Sequence, residues 1–489
     1  MPQSIGTASI GPASISAARL AGLVEGFGRS PAYAGLAESL TLLIGDGRIA
    51  LAARLPSERD LSVALRVSRT TVTRAYATLV EAGYAEARQG AGTFTRVPGD
   101  RRRALDRALM PGGRDGDVID LNCAAASAPP GVAAAYAEAV ADLPAYLGGH
   151  GYFPAGLPRL QEAIAQAYDA RGLPTRPEQV MVTAGALSAS AIVAQALTRR
   201  GARVLVETPT YPNGVDALRI AGARLVGLPV APDGWDLDGL EATLRQARPT
   251  LASLIPDFQN PTGLVMQADE RERVAAALRR SGTVPIVDEA HQALMLDGDP
   301  MPPPFAAFAP ETITIGSASK SFWGGLRIGW IRVPDSATMR ALTHARVRLD
   351  LGAPVLEQLA FARLLDDPWP VVEAHRARLR EQRAALVAAV SEQLPEWTFR
   401  VPRGGLCLWC RLPEPLGTDV AVEAERRGAI VAPGPVFAPE GGLDHFVRIP
   451  WSRPAEELEA AVGVLAESWR AVQGRRGGGG RPTDRMIVA

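Results

Sequence analysis

From Val118 onward, short apolar runs alternate with helical patterns, and this alternation restricts the fold more than any other feature of the chain. The runs VMVTAG, ARVLVE, LASLIP, VPIVDE, TITIGS and RIGWIRV are too short for helices and nearly continuous in apolar residues. A strand open to water on one face alternates apolar with polar residues, whereas a continuous apolar run needs cover on both faces. With helical periodicity between the runs, the reading is an α/β domain over residues 119–471, its mostly parallel sheet flanked by helices. Long helical segments near residues 355–395 and 455–473 border a smaller mixed α/β portion.

A different pattern precedes this domain. After about 30 weakly patterned residues, a helix is expected from Pro31 to Gly45. A second opens at Ser57, with Asp60 three residues on, close to a capping box. The third opens at Ser68 and ends at Gly83. Val72, Ala75, Tyr76, Leu79 and Val80 form its buried face, leaving Arg69, Thr70, Thr71, Thr73 and Arg74 outside. YAEARQGAGTFTRV then reads as two short strands around a glycine-containing turn. Helix, helix, exposed polar helix and hairpin describe a winged helix-turn-helix over residues 30–97, whose third helix enters a DNA major groove. Residues 98–118, charged and rich in Gly and Pro, read as a linker, and residues 472–489 as a flexible Gly-rich tail.

A formal net charge of zero argues against a nucleic-acid coat or a membrane-surface protein. It conceals a local excess: between Arg54 and Arg103 stand ten arginines against five acidic residues, a footprint for phosphate. The N-terminus lacks the basic start and apolar core of a signal peptide, and no later run is long enough to cross a bilayer, so a cytoplasmic protein is expected. Three cysteines make no disulfide framework. Cys407 and Cys410 form a CxxC, but on a strand they point to opposite faces, which favours a buried structural reading over a metal site.

The chain has 52 Lys plus Arg residues, and a single one is lysine, Lys320. Arginine supplies fixed charge but cannot lose a proton and attack an aldehyde, so this amine is a candidate for covalent chemistry. GSASK places Lys320 just past the strand TITIG, and PIVDEAH places Asp288 at the end of another. Ligands of open α/β sheets bind at such strand ends. An amine for an aldehyde and a carboxylate for a ring nitrogen are what pyridoxal 5'-phosphate requires. Asn260, in QNPTG, is a donor for the ring oxygen. Gly185 and Ala186, in VTAGALSAS, open a helix whose backbone N–H groups suit a phosphate, with Ser317, Ser319 and Arg327 adding further bonds. Tyr211, in ETPTYPN, is placed to stack on the ring.

Together these motifs resemble the fold-type I, class I/II aminotransferase family across residues 119–471. The resemblance implies that Lys320 holds the cofactor covalently, that Asp288 pairs its ring nitrogen, and that Asn260 contacts its 3-oxygen. It further implies that Arg448, in HFVRIPW, binds an incoming carboxylate. Tyr152, in GYFPAGLPRLQEAIA, matches a tyrosine that the family donates to the neighbouring subunit's phosphate, which implies a homodimer. His291 stands where the family usually has tyrosine; it can still donate to the ring oxygen, but an ordinary imidazole there is pH-sensitive, which disfavours efficient transamination.

LPSERDLSVALRVSRTTVTRAYATLVEAGYAEARQGAGTFTRV resembles the GntR-type winged-helix regulators. The resemblance implies that Arg59 and Arg69 touch DNA backbone or bases, that Thr70, Thr71 and Arg74 lie in the groove, and that Gly92 and Thr93 form the wing tip. The two halves together resemble the MocR/GabR-type regulators, which implies a DNA-binding transcription factor whose large domain senses pyridoxal phosphate or an amino compound. The alternative is a working aminotransferase with an appended DNA-binding module.

Overall fold

The computed structural model describes residues 14–24, 26–45, 49, 53–88, 90–96, 118–298, 300–438 and 442–476. Apart from Val118, the linker expected at 98–118 lies outside the described residues, as does the expected tail beyond Arg476. The chain divides into two compact units: one before residue 115 that takes in residues 128–134, the other built from residues 115–127 and from 135 onward.

In the first unit, α1 (Ala17–Leu23), α2 (Ala32–Gly45), α3 (Glu58–Leu65) and α4 (Arg69–Glu81) precede a hairpin of β1 (Ala85–Arg88) and β2 (Gly92–Thr95). The Ser57 hydroxyl caps α3, accepting the Asp60 N–H at 3.1 Å and donating to the Asp60 carboxylate at 2.6 Å. Ser68 caps α4 through the Thr71 N–H at 3.0 Å. Leu61, Val72, Ala75, Tyr76 and Leu79 are buried against Leu36, Leu40 and Ile44 of α2. Two expectations are corrected. Val80 is 40% exposed, because the last turn of α4 runs past this core. The weakly patterned N-terminus contains α1, whose Leu20 and Val24 join the same core; in AARLAGL the apolar rhythm rests on too few large side chains to stand out.

The second unit is organised on an eight-stranded sheet in the order β4-β11-β10-β9-β8-β5-β6-β7. Its strands are β4 (Val180–Thr183), β5 (Arg203–Thr208), β6 (Arg224–Ala231), β7 (Gly234–Trp235), β8 (Leu251–Leu254), β9 (Val284–Asp288), β10 (Ile313–Ser317) and β11 (Gly329–Arg332). β10, β9, β8, β5 and β6 run parallel. RIGWIRV was expected to join them, but β11 runs antiparallel to both β10 and β4. Residues 318–328 hold no crossover helix, and a parallel return needs one. This short connection carries Lys320.

Helices cover the sheet, among them α5 (Pro158–Asp169), α6 (Ala186–Leu197), α7 (Pro212–Ile220), α8 (Leu237–Ala247), α9 (Ala268–Ser281) and α10 (Ser336–Arg346). The expected segment 355–395 is two helices, α11 (Val355–Asp366) and α12 (Trp369–Gln393), broken at Pro368. In the smaller portion β3 (Ile119–Asp120) pairs with β13 (Ala429–Ile430), and β12 (Cys407–Arg411) pairs with β15 (Phe446–Pro450), itself paired with β14 (Ala432–Pro433). α12 and α14 (Ala455–Arg476), with α13 (Gly417–Arg426) between them in sequence, bury Leu386, Val390, Trp451, Val462 and Leu465 over it. Among the described residues no helix is long and apolar enough to cross a membrane.

Candidate cofactor site and DNA-reading face

The end of β9 and the loop after β10 bring Asp288 and Lys320 into electrostatic contact. Asp288 lines a cavity of about 40 Å³ with Tyr211, Thr210 and Ser253. One Asp288 oxygen accepts the Ala290 N–H at 2.8 Å. Burial pushes its carboxyl up to about 6, against the pull of that bond and of Lys320. Burial holds the Lys320 ammonium below the usual lysine range, and Arg448 adds to the effect. Its Nζ donates to the Ala124 carbonyl at 2.9 Å.

Arg448, on β15, closes another side. Its guanidinium donates to Asn260 Oδ1 at 3.4 Å and to the Asn122 carbonyl, and lies 4.9 Å from the Phe437 ring centroid. His291 is buried, with no partner on Nδ1. Burial, Lys320 and Arg448 push its pKa down to about 3, so the ring is neutral at ordinary pH. This corrects the expectation of a pH-sensitive contact: burial and two neighbouring cations oppose protonation. The Tyr211 hydroxyl accepts from Asn213 Nδ2 at 3.1 Å, and burial raises its pKa.

Gly185 begins α6 with φ +90, and a Cβ there would lie 2.6 Å from Arg327 Nη2. That geometry favours glycine, and it leaves the first-turn N–H groups of α6, starting at Ala186, without helical partners. Arg327, itself left-handed at φ 49, donates to the Ala184 carbonyl at 3.0 Å. Ser317 accepts the Ser319 N–H at 3.1 Å. Tyr152 is elsewhere: it is 57% exposed and stacks on His150 at 5.6 Å.

Sequence reading missed the residues that fix the lysine. His375, in the second turn of α12, has its pKa lowered to about 4 chiefly by burial and is neutral. Its Nε2–H donates to the Lys320 carbonyl at 3.0 Å, and its Nδ1 accepts from Arg378 at 3.0 Å. Arg378 also holds the Ser127 carbonyl at 2.6 Å. Residues 122–127 are thus tied by their carbonyls to Arg448, Lys320 and Arg378. No local motif marks these contacts, which join segments far apart in the chain. On β12, Cys407 faces the site, its thiol donating to the Pro261 carbonyl at 3.5 Å and pushed up to about 11 by burial, while Cys410 lies in the core of the smaller portion.

Pyridoxal phosphate fits this arrangement on three features: an unpartnered imidazole nitrogen in the interior, a half-buried carboxylate lining a cavity, and a glycine cradle at a helix start. Lys320 would hold its aldehyde, Asp288 its ring nitrogen, and the start of α6 with Arg327 its phosphate.

On the first unit, Arg59, Arg69, Thr70 and Arg74 are exposed. Arg69 lies 3.5 Å from Glu58, and the Arg74 guanidinium rests 4.4 Å from the Tyr33 ring centroid. Thr71 turns back to Ser68, hydroxyl to hydroxyl at 2.7 Å. Gly92 pairs with Arg88 and Thr93 with Ala87. Both therefore stand on the strand leaving the turn, and the turn itself includes Gly90 and Ala91.

The fold and site define a lysine-centred α/β domain of aminotransferase type, joined to a winged helix-turn-helix. Residues 125–465 match aminotransferase class I and II, and residues 32–95 match bacterial regulatory proteins, gntR family. The chain belongs to the class I and II aminotransferase family and carries a GntR DNA-binding domain. It is 32% identical to the 2-aminoadipate transaminase of Thermus thermophilus over 59% of this chain and 75% of that protein. It is 28% identical to the uncharacterized HTH-type transcriptional regulator YdcR of Escherichia coli, over 89% of this chain and 99% of the relative. The crystal structure of LysN, the α-aminoadipate aminotransferase of Thermus thermophilus complexed with N-(5'-phosphopyridoxyl)-L-leucine, superposes with a TM-score of 0.68 at 27% identity, covering 78% of this chain and 97% of that one.

Proposed function

We propose that the protein is a cytoplasmic transcriptional regulator that binds double-stranded DNA through its winged helix and holds pyridoxal phosphate on Lys320 as part of a sensor for that cofactor or for an amino compound. The carrying observation is the coexistence of both modules in one chain, matched nearly end to end by regulators such as YdcR. Arg448 selects a carboxylate, which makes an amino acid the favoured effector class. Bound pyridoxal phosphate supplies an aldehyde and an electron-accepting ring. The protein's own residues do the rest: Asp288 keeps a proton at the ring nitrogen, neutral His291 and Asn260 meet the ring oxygen, and Arg448 orients the ligand. Tyr152, idle in its own subunit, is suited to reach a partner's phosphate in a homodimer.

An effector alters DNA affinity only if it binds one state of the large domain better than another. DNA affinity of the full chain is therefore expected to shift on adding pyridoxal phosphate with a cognate amino acid, and not in Lys320→Ala. Equal affinity under all these conditions refutes the sensor. A second reading, a working aminotransferase, is favoured by the conjunction of Lys320, Asp288 and Arg448. Many turnovers of an amino donor with a keto acceptor would establish it.

A further inference from the structure

Asp288 and Glu289 are consecutive at the end of β9, and successive residues of an extended chain point to opposite faces. The Glu289 N–H continues the ladder, donating to the Ile315 carbonyl at 2.9 Å. Asp288 faces the candidate cofactor cavity. Glu289 instead lines a second cavity, of about 70 Å³, together with Tyr168, Phe322, Trp330 and Phe361.

This second cavity has a defined chemistry. The Glu289 side chain is 1% exposed; Oε2 takes Arg171 Nη1 at 2.7 Å, whereas Oε1 is buried with no partner. A buried carboxylate oxygen accepts hydrogen bonds only, so an occupant must bring a donor. Part of the remaining wall is aromatic and fixed: Trp330 stacks on Phe361 at 5.8 Å, Phe322 meets Phe361 edge-on at 5.4 Å, and Trp330 Nε1 donates to the Tyr168 hydroxyl at 3.0 Å, while Arg171, itself part of the lining, lies 5.4 Å from the Tyr168 ring centroid. Aromatic rings around an unmet acceptor favour an organic cation over a neutral donor. At about 30 Å³ for each water, the space takes about two waters, or a compact ligand of a few heavy atoms.

We propose that this cavity binds a small alkylammonium ion, its N–H on Glu289 Oε1 and its carbon atoms against the aromatic wall. The site goes beyond the regulator reading and requires neither Lys320 nor a cofactor.

Trimethylammonium is a suitable probe, because it has one N–H and cannot condense with an aldehyde. Titration calorimetry on the full chain is expected to show saturable binding of one ion per chain, about tenfold or more weaker in Glu289→Gln. Ala167→Leu, at an exposed helical position on the cavity's lining, is expected to weaken binding as well, and it tests the site even where Glu289→Gln fails to fold. Affinity in Lys320→Ala should equal that of the wild type, which separates this site from the cofactor site. No heat above that of sodium chloride, affinity unchanged in both cavity variants, or a soaked crystal with only water on Glu289 Oε1 would overturn the proposal.

Discussion

Asp288 illustrates how a residue can be costly to the fold and useful to the site. Its folded pKa of about 6 exceeds the ordinary aspartate value of 3.8, so between about pH 4 and pH 6 the folded chain retains a proton that the unfolded chain has lost. Stability from this group therefore falls as pH rises through that window. Asp288→Asn is expected to raise the melting temperature of the cofactor-free protein at pH 7 and to match wild type below pH 4, as read by calorimetry. Glu207, pushed up to about 7 chiefly by burial and in part by the Asp288 charge, loses that second push in the variant, which adds to the gain at pH 7. The same substitution should weaken pyridoxal phosphate binding by about tenfold or more, since a charge-assisted bond is lost. His291 makes the opposite case. With its pKa near 3, it contributes no ionisation between pH 5 and pH 8. The absorbance of the loaded protein followed across that range should have the same midpoint in His291→Asn; a wild-type step near pH 6.5 that vanishes in the variant would contradict it.

At the level of elements, the sequence was legible where chemistry sits at the end of a regular pattern. Lys320 and Asp288 follow apolar strands, Ser57 and Ser68 precede helical periodicity, and each falls where those patterns place it. It was illegible where tertiary contact decides. The direction of β11 depends on the length of one connection, and His375 serves Lys320 only because α12 packs beside the loop after β10. Gly185 belongs to both classes: the motif marks a phosphate turn, but the close approach of Arg327 appears only in three dimensions. Gly185→Ala combines a backbone conformation costing about 1–3 kcal/mol for a non-glycine residue with a Cβ 2.6 Å from Arg327 Nη2. A lower melting temperature and weaker binding of inorganic phosphate are expected together; retention of both would show that Arg327 can swing away without loss. His375→Leu is expected to preserve the helix while slowing recovery of covalent cofactor after its removal, because the Lys320 backbone loses its tether.

For the molecule as a whole, the distribution of basic residues has a consequence for measurement. Pyridoxal phosphate reacts with surface lysines of basic proteins and can weaken DNA binding simply by covering positive charge. The basic residues that face solvent at the DNA-reading helix are arginines, and the chain's one lysine lies in the other unit. Side-chain modification on the DNA face is thus unavailable to the cofactor. Loss of phosphate contacts would flatten the dependence of DNA affinity on salt, whereas a coupling through the large domain would shift affinity and leave the slope unchanged. DNA affinity measured over a series of salt concentrations, with and without pyridoxal phosphate, is therefore expected to give two parallel lines for the wild type and one shared line for Lys320→Ala. Arg69→Ala should lower the slope by about one contact in both states. Converging lines would place the effect on DNA charge instead of on Lys320, and the sensor reading would fail.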